Sequence, residues 1–203
     1  MSMKKRLRTH TNPFNIRRRL TGTLLPDFGK FQAVNLEIGF GKGVFMQGYA
    51  NRHPNELIVG MDVRQSMVNR LNSMPINPSN CVALWGTAMI CLEDLIPSQS
   101  LDRVFIFHPD PWFKKRHHKR RVINQALMDA LKVALKPGGR VYISTDVLDL
   151  YHDIMMVLLK NDDKIYIRDD LFWSTDYLTH WSAFSKQSHR STFMYTFQFK
   201  ETA

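Results

Sequence analysis

The feature that most narrows what this chain can fold into is a repeated exchange of hydrophobic period. From residue 31 onward, short apolar runs alternate with amphipathic stretches. Residues 34–38, 57–61, 80–85, 101–107 and 140–145 read as strands. Residues 44–51, 65–73, 89–95, 124–135 and 148–159 read as the helices that follow them. Strands that are apolar along their whole length are covered on both faces, and strand–helix alternation builds a parallel sheet with helices on both sides. Lys136-Pro-Gly-Gly139 should stop the helix at 124–135, because proline cannot continue a helix and glycine accepts the left-handed turn that ends one. Two last strand-like runs, 164–168 and 192–199, are separated by a polar segment with no long helix in it, which predicts an antiparallel finish. The expectation is an α/β fold with a mostly parallel seven-stranded sheet, an antiparallel C-terminal strand and helices on both faces.

A length of 203 residues suits one domain, expected over 31–203. Residues 1–30 carry Lys4, Lys5, Arg6, Arg8 and Arg17 to Arg19 with little apolar patterning, and read as a basic arm. Lys and Arg number 28 against 18 Asp and Glu, a formal net charge of +10. Such a balance suits a polyanionic partner if the cations cluster, since clustered cations release the counterions condensed on nucleic acid. Cys81 and Cys91 have no metal-ligand neighbours at useful spacing, so free thiols are expected and a metal site is not. No run approaches the roughly 18 apolar residues of a membrane span, and the first residues lack an apolar signal core. A cytoplasmic protein with no membrane partner is expected. Nothing in the sequence chooses between monomer and homodimer.

Where the first strand turns into the first helix stands Leu36-Glu-Ile-Gly-Phe-Gly-Lys-Gly43. Gly39, Gly41 and Gly43 let the backbone bend and approach a ligand closely. The spacing does not complete a dinucleotide fingerprint, and Glu37 would repel a pyrophosphate. Both facts point to a cofactor with a cationic end, S-adenosyl-L-methionine. At the end of the second strand, Asp62 is placed to accept both ribose hydroxyls.

The fourth strand ends in His108-Pro-Asp-Pro-Trp-Phe-Lys-Lys-Arg-His-His-Lys-Arg-Arg121. Ligands of open α/β sheets bind at this strand edge. Two prolines restrict the backbone around Asp110, and Trp112 offers a flat face to a base. Every residue from Lys114 to Arg121 is Lys, Arg or His. An unrelieved cationic block at a crevice mouth is a phosphate grip in the making.

These residues resemble a known family. Asp110-Pro-Trp-Phe-Lys-Lys-Arg-His-His-Lys-Arg-Arg121 is similar to the D-P-W-x-K-x-R-H-x-K-R-R signature of the tRNA (guanine-N7-)-methyltransferases. Leu36 to Gly43 resembles that family's first loop, and Ser144 to Tyr151 its T-D-x-x-x-Y element. The family's late T-x-Y-E element falls on Thr179-His-Trp-Ser182. The resemblance implies a Rossmann-like class I methyltransferase acting on N7 of a guanine in the tRNA variable loop. It implies that Glu37, Asp62, Thr87 and Asp110 lie along the cofactor. Lys114, Asp146, Thr179 and Ser182 would meet the substrate, and Arg116, His117, Lys119, Arg120 and Arg121 the RNA backbone. Asp62, Thr87 and Ser182 depart from the usual Glu, Asp or Asn, and Glu. Two alternatives therefore stand beside the first reading: an RNA-binding relative with weakened or lost catalysis, and an N7 methyltransferase acting on another RNA. Because guanine N7 already presents a lone pair, no general base is needed. Asp110 is the first candidate to stabilise the positive ring and Asp146 the second, although Asp146 is also placed to cap the helix at 148–159.

Overall fold

A computed structural model describes residues 11–16, 25–74, 77–160 and 162–200, together with all their side chains except that of Cys91. Among these residues seven strands form one sheet: β1 (Ala33–Ile38), β2 (Glu56–Asp62), β3 (Cys81–Trp85), β4 (Leu101–Phe107), β5 (Leu135–Thr145), β6 (Lys164–Tyr166) and β7 (Phe193–Phe199). Their order across the sheet is β3-β2-β1-β4-β5-β7-β6. The pairings from β3 through β5 are all parallel, and β7 runs antiparallel to both β5 and β6. The strand order reverses between β1 and β4, and at such a switch the loops leaving neighbouring strands diverge and open a crevice.

The helices are α1 (Val44–Arg52), α2 (Gln65–Asn72), α3 (Ala88–Leu95), α4 (Gln125–Ala134), α5 (Leu148–Leu158), α6 (Asp170–Thr175) and α7 (His180–Gln187). They cover the two faces with different chemistry. One face is aliphatic: Leu92 of α3, Leu127 and Leu131 of α4, and Ile154 and Leu158 of α5 pack with Leu36, Val104 and Val141 of the sheet. The other is aromatic: Phe45 and Tyr49 of α1 and Phe172 of α6 pack with Phe105, Phe107 and Tyr142. All six residues of β1 are buried although Asn35 and Glu37 alternate with Val34, Leu36 and Ile38; Asn35 is accommodated by donating to Glu56 and to the Leu57 carbonyl of β2.

Two local expectations need correction. The polar segment between β6 and β7 holds α6 and α7, which the pattern reading missed because helices of six and eight residues scarcely fill one period window. Short as it is, α6 seats Phe172 at 4.2 Å from the Tyr142 ring and stacks it on Phe105 at 5.3 Å. Asp169 accepts from the Phe172 amide to start that helix and ties it to the sheet through the Tyr142 hydroxyl. The second correction concerns Lys136 to Gly139. The helix does end at Ala134, but β5 begins at once at Leu135, and the proline and glycines form an irregular first stretch of the strand, with Gly138 at φ +72°.

Part of the segment read as an arm packs on the domain: Pro13 and Ile16 are buried, and Leu25 and Phe28 rest against the aliphatic core. The arginines and lysines named there lie outside the described residues. Cys81 is buried and free. Among the described residues no helix is long and apolar enough to cross a membrane.

Candidate functional site

A cavity of about 340 Å³ opens at the switch point, over the ends of β1, β2 and β4. Its floor is the turn after β1. Gly39, Gly41 and Gly43 have φ of +81°, +61° and +74°, conformations that cost other residues about 1–2 kcal/mol each. A Cβ on Gly39 would meet nothing within 4 Å, so the turn presents bare backbone to open space. Glu37 stands beneath it, buried, and its Oε2 has no hydrogen-bond partner. Burial, and secondarily the charge of Asp62, push the Glu37 carboxyl up to about 8. A buried carboxyl oxygen lacking a partner is suited to a cation, and the ammonium of a methionyl group supplies one. Met61, Val63 and Met67 add apolar wall for a flat ring, and Asp62 stands between wall and floor. These residues fit S-adenosyl-L-methionine.

Asp62 is held from several directions. Its Oδ1 accepts from the Arg64 backbone amide and from Arg64 Nε, both at 2.9 Å. Its Oδ2 accepts from the Gly41 amide at 2.9 Å and from Arg64 Nη2 at 2.7 Å. Thr87, at the start of α3, lines the cavity as well, and its hydroxyl does not cap that helix.

The far wall belongs to the segment after β4 and to α7. Asp110, Trp112 and Arg120 line the cavity from one side, and Thr179, His180 and Trp181 from the other. Lys42, in the glycine turn, faces His180, and burial together with that lysine holds the imidazole below its ordinary range. The mouth is therefore cationic while the floor is acidic.

A family model described as "Putative methyltransferase" matches residues 32–194. The tRNA (guanine-N(7)-)-methyltransferase of Thermosynechococcus vestitus is 33% identical over 156 residues, 73% of this chain and 73% of that protein. The enzyme of that name from Synechocystis sp. (strain ATCC 27184 / PCC 6803 / Kazusa) is 32% identical over 173 residues, 81% and 82% of the two chains. The chain belongs to the tRNA (guanine-N7-)-methyltransferase family. It spans less of some relatives: 66% of the namesake from Synechococcus sp. (strain JA-3-3Ab), at 33% identity over 74% of this chain. Among solved structures, the antibiotic-resistance methyltransferase Kmr aligns with a TM-score of 0.58 at 12% identity, over 92% of this chain and 99% of that one. The 16S rRNA methyltransferase KamB aligns at 0.56 and 14%, over 85% and 90%. Both likenesses establish the class I methyltransferase fold alone.

Against that family's pattern, Glu37, Gly39, Gly41, Asp62, Thr87, Asp110, Trp112, Arg120 and Thr179 come together around one cavity. Lys114, Arg116 and Lys119 are exposed outside it, on and beside a 3-10 helix at Lys115–Arg120. His117 sits among them, its ring edge-on to Trp112 at 5.8 Å. Partial desolvation and the cations Arg120, Arg116 and Lys114 hold it below the usual histidine range, so it meets an anion as a neutral donor or gains a proton in doing so.

Four expectations are corrected. Arg121 is not on the surface: only 4% exposed, it donates to the Pro111 carbonyl at 2.8 Å, to Asp149 at 2.6 Å and to Asp153. It anchors the segment to α5, and its burial keeps it off the surface that would meet phosphate. Trp112 is 7% exposed, with the Arg120 guanidinium 5.0 Å from its ring centroid, so it is cavity wall rather than an open stacking platform. Phe113, which the sequence reading passed over, is the exposed ring here, at 66%. Asp146 neither caps α5, whose N-cap is Val147, nor reaches the surface; its enclosed carboxylate meets Ser185 at 3.2 Å and His108 at 3.4 Å. Ser182 does not line this cavity. Its hydroxyl accepts from the Thr179 amide while Thr179 Oγ1 accepts from the Ser182 amide, a reciprocal capping box that starts α7.

That box accounts physically for one family departure. A glutamate three residues after a threonine N-cap and a serine there can both accept from the cap amide, so Ser182 preserves the helix start. In the cavity wall, His108 contacts the Tyr177 hydroxyl at 2.7 Å, and Tyr177 donates to Ser144 at 2.9 Å. Sequence spacing gave no hint of this cluster, because its members come from three separate elements. It ties the β4 and β5 ends to the chain leading into α7, and so fixes the wall that carries Thr179 and His180.

Proposed function

We propose that this chain transfers a methyl group from S-adenosyl-L-methionine to N7 of a guanine in tRNA. The observation that carries the reading is the buried, partnerless Glu37 Oε2 under a bare glycine turn, in a cavity also lined by Asp110, Trp112 and Arg120, with the rest of the cationic segment exposed outside it. Family membership supplies the substrate class. When bound, the cofactor supplies a methyl group on a sulfonium. Glu37 would hold its ammonium, Asp62 its ribose, and Thr87 would lie along its adenine.

The remaining work is orientation and charge. Guanine N7 attacks with a lone pair it already has, so no residue need remove a proton. Holding nucleophile and methyl in line can supply about 7–11 kcal/mol. Asp110, in the cavity wall and close enough for its charge to act on Arg64, is placed to offset the positive charge that the base acquires. Lys114, Lys115, Arg116 and Lys119 would bear on phosphates, and Phe113 among them on a base face. Residues 31–203 would act as one cytoplasmic domain, with 1–30 as a basic arm, as monomer or homodimer.

Two variants test the division of labour. Asp110→Asn should lower kcat by about 100-fold, the scale of losing one electrostatic contact in the transition state, and leave tRNA affinity within about twofold. Phe113→Ala should instead weaken tRNA binding by about five- to 100-fold, the scale of one stacked base. Its slope of log affinity against log salt should not change, and Phe113→Tyr should restore binding. If both variants lose only affinity, Asp110 has no part in the chemistry.

A further inference from the structure

A carboxylate offers about four lone-pair sites. On Asp62 four donors of this chain already occupy them: the backbone amides of Gly41 and Arg64, and Nε and Nη2 of Arg64. The two amides belong to the fixed turns after β1 and β2. The two guanidinium nitrogens are at the end of a flexible side chain that is still partly exposed, whereas the Asp62 side chain is enclosed. A ribose diol needs two acceptor sites, and the only two that can be vacated without unfolding a turn are those held by Arg64.

We propose that Arg64 is a placeholder for the ribose: its guanidinium occupies the Asp62 sites that the 2′- and 3′-hydroxyls require and gives them up when the nucleoside enters. The inference rests on the reading of the cavity as an S-adenosyl-L-methionine site. Three observations support it. Arg64 lines the same cavity as Glu37 and the glycine turn. Its Nη2 is 3.5 Å from where a Cβ on Gly41 would stand, so the guanidinium lies across the bare turn itself. The charge of a second acid, Asp110, also reaches Arg64, so the guanidinium is not held by Asp62 alone.

The arrangement has a reason. Glu37 and Asp62 are two buried acids close enough to repel each other. Arg64 pairs with Asp62, the one of the two that keeps its charge, while no cofactor is bound. Its displacement makes the nucleoside compete with an internal ligand, so affinity is lower than the contacts alone would give.

The test is calorimetric titration of the full chain with S-adenosylhomocysteine and with its 2′,3′-dideoxy analogue, for the wild type, Arg64→Met and Arg64→Lys. The proposal expects Arg64→Met to bind S-adenosylhomocysteine about five- to 20-fold tighter, the worth of two fewer charged hydrogen bonds to displace. The dideoxy analogue, which has no diol to exchange, should gain nothing. Arg64→Lys keeps the charge without the fork and should fall between, which also covers the case of a Met variant that folds poorly. Equal gains for both ligands would mean simple relief of positive charge and overturn the proposal. Unchanged or weaker binding of S-adenosylhomocysteine by both variants would also overturn it while leaving the cofactor reading intact. If the wild type binds neither compound, the cofactor reading falls and the placeholder with it.

Discussion

Glu37→Gln should abolish useful cofactor binding while making the protein without cofactor more stable, two effects of opposite sign from one atom. The Glu37 carboxyl is the acid beneath the glycine turn with an oxygen that no other group holds, and removing one partner of a buried charge pair costs about 2–5 kcal/mol. Affinity for S-adenosylhomocysteine should therefore fall at least about 30-fold. The stability effect follows from proton linkage. Burial and Asp62 raise the folded-state carboxyl from 4.5 to about 8, so the folded protein holds a proton that the unfolded chain has released. The Glu37 contribution to stability is then fully present below pH 4.5 and is lost as pH rises toward about 8. The limiting slope is about 1.4 kcal/mol per pH unit. Glutamine keeps the shape of the protonated acid and removes that decline. Thermal unfolding from pH 5 to 8 should show the variant gaining on the wild type. Over the same range the wild type should bind cofactor more tightly as pH rises, with uptake of ligand releasing a proton, and the variant should show neither trend. A variant that binds as well as the wild type would remove the main support for the site.

Arg121→Met should destabilise the fold and leave the electrostatics of RNA binding alone. Arg121 makes two contacts from the substrate segment to α5, to Asp149 and Asp153, and a third within the segment to the buried Pro111 carbonyl. Loss of charged hydrogen bonds to a buried group costs about 2–3 kcal/mol. For a chain of this size that corresponds to a fall in Tm of about 5–10 °C. The two carboxylates left behind are half in water, which keeps the loss from growing larger. Lys119→Ala should behave in the opposite way: Tm unchanged and the salt slope of tRNA binding reduced by about one. If Arg121→Met lowered the salt slope and not Tm, its guanidinium would be on the RNA after all.

That contrast shows where sequence reading works and where it stops. Glu37, Gly39, Gly41, Asp62 and Asp110 were legible because strand ends are where a parallel sheet must place its ligands, and topology follows from the alternation of periods. Arg121 was not legible. Within a run of cations each residue looks alike, and only the folded chain brings Asp149 and Asp153, 28 and 32 residues away, against that one member. Trp112 and Phe113 were confused for a related reason: adjacent rings on an irregular loop have no period to say which points inward. The positive φ of +46° at Trp112, invisible in the sequence, turns its ring into the wall and leaves Phe113 outside. Asp146, two residues before a helix, reads from sequence equally as a substrate contact or a cap, and the tertiary contacts with Ser185 and His108 displace the capping role.

The most direct test of the central claim uses purified protein, S-adenosyl-L-methionine labelled on its methyl group, and tRNA lacking base modifications. Digestion to nucleosides should yield label in 7-methylguanosine alone, at a single guanine of the tRNA, with no transfer to ribosomal RNA under the same conditions. Tight binding of tRNA and cofactor with no labelled 7-methylguanosine, or label found on another base or another RNA, would contradict the account.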